Sequence, residues 1–421
     1  MKIGQVVKRY GISVNSLYFY INNGLLVPPR RNSQYIFDDR TLADLEWILE
    51  LKQMDFPLKT IHRLLSLRRI SNFCSEEDQN ERKDIFLAHD RELSKKEAAL
   101  SVAREKVHHA IRQFSGHKQH SSLSGVPVDM LGLLCCPRCG GELMMSNVSM
   151  SQRYVFHANM SCSCGYNAAI SDGILRTGNV NTSLYDKPDT TRELYRDLPS
   201  KTLSLFERSY HWLEEYMQKC VSPGKVWLEA YPTAWFFFHN HLDLLSGEDS
   251  LIVIDKFPET LLAYKAVIEQ QNPRCKILYI ADASTSPPLQ KGAIDCCMDF
   301  FAVNEYNFYH DGLFLSQMIP YFKRNVELFG VYFFFQNGRK SVDKYLDSYP
   351  EGTPTNFNIH WFMEEMKKDF CVLETLDCGS SLDSGQNLGL GFHVPGEELH
   401  LQPYHAKMNY SAASNRVIHQ G

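Results

Sequence analysis

From Lys225 onward, short apolar runs alternate with helical patterns, and this alternation constrains the fold more than any other feature of the chain. Val226 to Glu229, Ser250 to Asp255, Lys276 to Ile280, Ala293 to Phe301 and Val331 to Phe335 read as buried strands. That order predicts a parallel α/β sheet, whose ligands bind beyond the carboxyl ends of the strands. Cys371 to Asp377 and Leu388 to Val394, with a Gly/Ser-rich loop between them, read as a terminal antiparallel pair. The chain has 421 residues, more than one such sheet needs, and about two or three domains are expected.

The cysteines mark a second unit. Of twelve, five fall between Cys135 and Cys164. Cys136-Pro137-Arg138-Cys139-Gly140-Gly141 is followed by Cys162-Ser163-Cys164-Gly165, and four thiolates so spaced can close a tetrahedral zinc site with glycines turning backbone N–H groups toward the sulfurs. Cys135 and His157 are alternative ligands. A thioredoxin-like redox pair is the rival reading, but no βαβ pattern surrounds these cysteines. Four protein ligands leave no open position, so the expected zinc is structural.

The N-terminus reads as two short helices joined by a tight turn. Ile3 to Arg9 is helical, Gly11-Ile12 turns, and Ser13 caps a second helix from Val14 to Asn22 that Gly24 closes. This is a helix-turn-helix, in which Ser13 and Asn15 sit where side chains reach base edges and Tyr18 and Tyr20 reach phosphate or sugar. Arg30, Arg31 and a β-like run from Gln34 to Phe37, with Tyr35 in it, form an expected wing. Residues 1–120 carry an excess of five positive charges and the remainder an excess of ten negative ones, within a net charge of -5, which suits a DNA-binding head on an acidic body. Phe86, Leu93, Leu100, Val107 and Phe114 then follow at seven-residue spacing, a coiled-coil seam interrupted by His89 and Lys96.

Over about its first 115 residues the sequence resembles the MerR family of transcription regulators, on I-G-Q-V-V-K-R-Y-G-I-S-V-N-S-L-Y-F-Y-I-N-N-G-L-L-V-P-P-R and L-A-D-L-E-W-I-L-E-L-K-Q-M-D-F-P-L-K-T-I-H-R-L-L. That family usually has Arg where Tyr18 stands. The resemblance implies a dimer, paired through the long helix, that reads an inverted repeat in promoter DNA. Cys164-Gly165-Tyr166 with Ile170-Ser171-Asp172-Gly173-Ile174-Leu175 looks like the zinc ribbon that accompanies class I methyltransferases. The last 200 residues or so resemble a class I S-adenosylmethionine-dependent methyltransferase, with Glu229, Asp255 and Asp282 at the three strand ends where such enzymes hold the cofactor. The glycine-rich turn of that family is replaced by Ala230-Tyr231-Pro232-Thr233-Ala234-Trp235.

The expected architecture is therefore multidomain: an all-α winged helix-turn-helix over 1–75, a dimerisation helix over 76–118, a small β zinc ribbon over 126–178, a Rossmann-like methyltransferase-type α/β domain over 190–408, and a flexible tail over 409–421. The leading function is a dimeric DNA-binding regulator with a methyltransferase-like sensor for a small-molecule effector. An active methyltransferase delivered or autoregulated through its head is the alternative, and a docking scaffold the third. S-adenosylmethionine or a related nucleoside is the cofactor in question. No stretch approaches the ~20 apolar residues that span a bilayer, and the N-terminus lacks the layout of an export signal, so a bacterial cytoplasmic protein with no membrane partner is expected.

Overall fold

The computed structural model describes residues 1–114, 124–193, 196–271 and 273–409. The side chain of Phe114, most of the linker after it, and the tail beyond residue 409 lie outside the described residues. The chain divides into two compact units, residues 1–119 and 120–421. Among the described residues no helix is long and apolar enough to cross a membrane.

The first unit is helical. Helices α1 (Ile3–Tyr10) and α2 (Val14–Asn22) are joined through Gly11, at φ 65°, and Ser13, whose hydroxyl accepts the Ser16 N–H at 3.0 Å. Strands β1 (Arg30–Arg31) and β2 (Gln34–Tyr35) form a hairpin with Arg30 opposite Tyr35. Its two turn residues, Asn32 and Ser33, both have positive φ, the conformation a two-residue hairpin requires. Helices α3 (Asp39–Gln53) and α4 (Leu58–Ser71) pack Leu45, Ile48, Ile61 and Leu64 against Val6, Leu17 and Phe37. The long helix α5 (Glu76–Phe114) follows.

The second unit is built on one continuous sheet. Strands β3 (Val126–Pro127), β4 (Met144–Met150), β5 (Tyr154–Ser161), β6 (Asn167–Ser171) and β7 (Ile174–Thr177) form an antiparallel ribbon. After helix α6 (Ser200–Cys220) come β8 (Val226–Ala230), β9 (Ser250–Asp255), α7 (Pro258–Gln270), β10 (Lys276–Ala281), β11 (Ile294–Phe300), the short helices α8 (Ala302–Asn307) and α9 (Phe314–Met318), and β12 (Phe322–Gln336). Helices α10 (Arg339–Ser348) and α11 (Ile359–Asp369) precede β13 (Phe370–Thr375), β14 (Ser380–Ser381) and β15 (Glu398–Met408). The main path of the sheet runs β13-β15-β12-β11-β8-β9-β10-β7-β6-β5-β3.

Strands β8 to β12 are parallel and buried on both faces, which explains their near-continuous apolar text. The chain leaves β8 toward β9 on one side and returns as β11 on the other. This is a topological switch point, where doubly wound sheets open a crevice.

Two features differ from the sequence reading. The segments 126–178 and 190–408 share one sheet, because Ile174, Leu175 and Arg176 of β7 pair in parallel with Tyr279, Ile280 and Ala281 of β10. Ribbon residues Val155 and Ile170 lie in the same core as Leu228, Ile252 and Leu278. The terminal antiparallel pair is also corrected: β13 pairs with β15, and residues 388–394 form turns. Phe392 is buried there against Phe357, so an apolar pattern that suggested a strand serves a packed loop.

Candidate functional site

The head presents an exposed face at the start of α2 and along the hairpin. Ser13 and Asn15 are exposed in the first turn of α2, and Arg30 and Arg31 are exposed on β1. The Arg30 guanidinium stands 4.4 Å from the centre of the Tyr35 ring and also donates to the Tyr35 hydroxyl. Tyr35 meets Tyr18 edge to face at 6.2 Å. Tyr18 thus joins the hairpin to α2. Tyr20 is placed differently from the other expected contacts, since its ring belongs to the core. Arg69 of α4 fixes this face from behind, donating to Asp44 Oδ2 at 2.8 Å and to the carbonyls of Gly24 and Leu25 at 3.1 and 2.6 Å.

Helix α5 begins packed and becomes bare. Phe86 and His89 pack on Phe56, His89 Nε2 lies 2.8 Å from the Met54 carbonyl, and Lys96 bridges to Asp55 at 2.6 Å. His89 and Lys96, which interrupt the heptad spacing, therefore secure the helix to its own unit. Beyond them, Leu100 is 70% and Val107 56% exposed.

The four cysteines converge. The sulfurs of Cys136, Cys139, Cys162 and Cys164 lie within 4.8 Å of one another, and among the described residues they form the one group arranged to hold a metal ion. Each pair sits on a tight turn: Gly140 N–H donates to the Cys136 carbonyl at 2.8 Å and Gly165 N–H to the Cys162 carbonyl at 2.9 Å, both glycines at positive φ. A Cβ on Gly141 would stand 3.3 Å from Cys139 Sγ. The Cys164 backbone N–H and the Cys139 thiol hold Cys162 down to about 6. Cys135 instead points to the Leu289 carbonyl at 3.1 Å, and His157 is outside the group.

The three strand-end acids are turned inward. Glu229 accepts the N–H groups of Phe237 and Phe238 at 2.8 and 3.2 Å and the Tyr264 hydroxyl. Asp255 accepts those of Thr233 and Phe257 at 2.7 and 2.8 Å. Burial pushes both carboxyls up to about 7. Asp282 takes the Ser284 N–H at 2.6 Å and the Asn179 side chain at 3.1 Å. The chain after β8 folds into the space the acids border: Tyr231, at φ 50°, packs on Phe314 at 4.9 Å, and Trp235 donates to the Tyr210 hydroxyl at 2.5 Å.

A segment that the sequence reading passed over crosses these strand ends. Asn179 pairs with Ala283, and Asp186 meets the buried Lys256 ammonium at 2.5 Å, which also holds Glu305 at 2.6 Å. Only the adjacency of Asp255 and Lys256 hinted at this cluster. Beside it, over the switch point, lies a cavity of about 140 Å³ bordered by Thr233 to Trp235 after β8 and by Phe301, Asn304 and Glu305 after β11.

Residues 1–67 match the model of the MerR HTH family regulatory protein. Over 79 residues the chain is 33% identical to the HTH-type transcriptional regulator ZntR homolog of Haemophilus influenzae, a stretch covering 18% of this chain and 58% of that relative. The chain thus spans under two thirds of the relative it matches. Solved structures similar to it include a SAM-dependent methyltransferase from Aquifex aeolicus, at 14% identity and a TM-score of 0.36 over 52% of this chain and 100% of that one. Another is geranyl diphosphate C-methyltransferase from Streptomyces coelicolor, at 10% identity and 0.38 over 56% and 90%.

Proposed function

We propose that this chain is a dimeric, sequence-specific DNA-binding transcription regulator of the bacterial cytoplasm whose α/β part is a receptor and not a working methyltransferase. The observation that carries the reading is the pairing of a MerR-type head, with its capped reading helix and arginine-bearing hairpin, with a first-strand loop closed on its own acids. Asn15 reads a base edge, Ser13 caps the reading helix and positions it, and Tyr18, Tyr35, Arg30 and Arg31 contact the backbone. The bare stretch of α5 at Leu100 and Val107 is the surface on which a second copy pairs.

S-adenosylmethionine does not fit in the pose that the three acids suggest. Glu229, Asp255 and Asp282 are solvent-inaccessible or nearly so and bonded to their own chain, and the loop after β8 carries a buried Tyr231, packed on Phe314, in place of the glycines that would let backbone approach a cofactor. Zinc does fit: four convergent thiols, with the backbone N–H groups of Gly141, Cys164 and Tyr166 directed at the sulfurs of Cys139, Cys162 and Cys164, match a closed tetrahedral thiolate site. Such an ion holds the ribbon in shape and supplies no reaction.

The reading is tested with the full-length protein. It is expected to prefer an inverted repeat in its own promoter over random DNA at moderate salt, and to show no measurable methyl transfer from S-adenosylmethionine to DNA, RNA or small molecules. Equal affinity for random DNA overturns the regulator. Methylation that disappears in Asp255→Ala overturns the receptor in favour of the enzyme.

A further inference from the structure

The cavity over the switch point is walled by rings that do not fill it. Phe206 and Trp235 lie 4.5 Å apart, Phe301 stands edge-on to both at 5.6 and 6.4 Å, and Phe333 is edge-on to Phe301 at 6.1 Å. Phe308 and Tyr349, edge-on to each other at 5.0 Å, join them in the lining. Protein interiors are close-packed, and atoms beside a void forgo contacts that a filled site would make. Phe301 holds φ 66°, a conformation that a bulky side chain adopts only when its surroundings enforce it, and such residues gather at ligand sites.

The charged and amide groups of the wall are already engaged within the chain. Asp186 and Glu305 both hold the Lys256 ammonium, at 2.5 and 2.6 Å. Asp189 accepts the Glu193 N–H at 3.1 Å and the Thr191 hydroxyl at 3.3 Å. Lys187, the other charged residue of the lining, is exposed, where water screens it. The Asn304 amide is spent on the Phe333 backbone, donating at 2.9 Å and accepting at 3.0 Å. The Asn387 amide donates to the Arg196 carbonyl at 2.6 Å and accepts the Leu390 N–H at 2.9 Å. A charged ligand would leave water without gaining an unengaged buried counter-charge, which is costly. An uncharged ring needs only faces and edges to pack on.

We propose that this cavity binds an uncharged molecule carrying one aromatic ring, seated among Phe206, Trp235, Phe301 and Phe333. A volume of about 140 Å³ is close to that of apolar cavities that accept a single benzene. Two loop segments, 186–189 and 387–390, complete the wall, and the exposed Lys187 marks where it reaches solvent. Selection is by ring shape and by exclusion of charge. Only the regulatory consequence of binding rests on the receptor reading.

The probes are ethylbenzene and two ions of similar size, benzylammonium and benzoate, titrated into the full-length protein and followed by calorimetry and tryptophan fluorescence. Ethylbenzene is expected to bind at a single site per chain, at least about tenfold more tightly than either ion. Leu390→Trp adds a ring at the half-buried loop border and is expected to abolish that binding while the unfolding midpoint stays where it was. Absence of saturable ethylbenzene binding, an ion that binds as tightly, or a folded Leu390→Trp that binds as the wild type does each overturns the site. If the variant fails to fold, the stoichiometry and selectivity of the wild type decide. Occupancy that leaves affinity for promoter DNA unchanged sinks the receptor reading and leaves the site standing. No binding by a protein that still recognises its promoter sinks the site and leaves the regulator standing.

Discussion

Glu229 Oε1 accepts the backbone N–H of Phe237 at 2.8 Å, so the acid that ends the first parallel strand braces its own following loop. Burial raises its folded-state pKa from 4.5 to about 7. A group raised in this way contributes stability that is fully present below its unfolded pKa and is lost as pH climbs through its folded one. Glutamine preserves the acceptor for Phe237 and Phe238 and can donate to the Tyr264 oxygen. Glu229→Gln is therefore expected to match the wild type near pH 4.5 and to exceed it by about 3 kcal/mol above pH 8. Denaturant unfolding of the two proteins across that range measures the difference. Curves that stay parallel would falsify the assignment of a buried, neutralised carboxyl.

Metal content offers a second check. Protein prepared without added zinc is expected to carry one zinc per chain, and Cys162→Ser to carry none. Gly141→Ala, which would place a carbon 3.3 Å from Cys139 Sγ, is expected to retain metal but to lose it faster to a chelator. Because ribbon residues share a core with Leu228 and Ile252, removing the ion should lower the unfolding midpoint of the whole second unit. A zinc-free protein with an unchanged midpoint would rule out the structural ion.

The long helix separates two effects that a truncation would confuse. Leu100→Glu changes a side chain that is 70% exposed, so the head should keep its helical content and its midpoint while the dimer dissociates in sedimentation. Phe86→Ala acts at the other end, where the ring packs on Phe56 at 5.0 Å. It should destabilise the head itself. A dimer that survives Leu100→Glu places the interface elsewhere.

For DNA, Arg30→Ala and Arg31→Ala are each expected to weaken specific and random binding alike and to flatten the salt dependence by about one unit. Asn15→Ala should instead relax preference at one base position, at a cost of roughly 1–3 kcal/mol. Tyr35→Phe preserves the ring beneath Arg30 and removes its hydroxyl, and should behave as a mild form of Arg30→Ala. Binding curves at several salt concentrations on promoter and random duplexes distinguish these outcomes.

Local chemistry was legible in the sequence, and long-range pairing was not. Ser13 and Gly11 announce the start of α2 and the end of α1 because a hydroxyl cap and a left-handed residue are local requirements. The Cys136–Cys139 pair with its glycines is legible for the same reason. Strand β15 was missed because Pro403 in its middle argues against a central strand, yet it pairs from Glu398 opposite Gln336 to Lys407 opposite Glu327. His89 and Lys96 read as faults in the seam, but their partners, Met54 and Asp55, lie far back in the chain. Glu229 and Asp255 stand at the strand ends the resemblance implied; what no motif could convey is that Phe237 and Thr233 would fold back to occupy them.

The pairing of β7 with β10 also bears on how the protein behaves when it is damaged. Without it, β10 would end the parallel sheet as an apolar edge of unpaired N–H and C=O groups, Lys276 being its one exposed residue. Edges of that kind recruit strands from other molecules. The ribbon shields this one, and the four cysteines secure the ribbon. Loss of the ion or oxidation of those thiols would then announce itself through turbidity and sedimenting aggregates before any loss of helical signal, and the cell would meet a solubility failure ahead of a regulatory one.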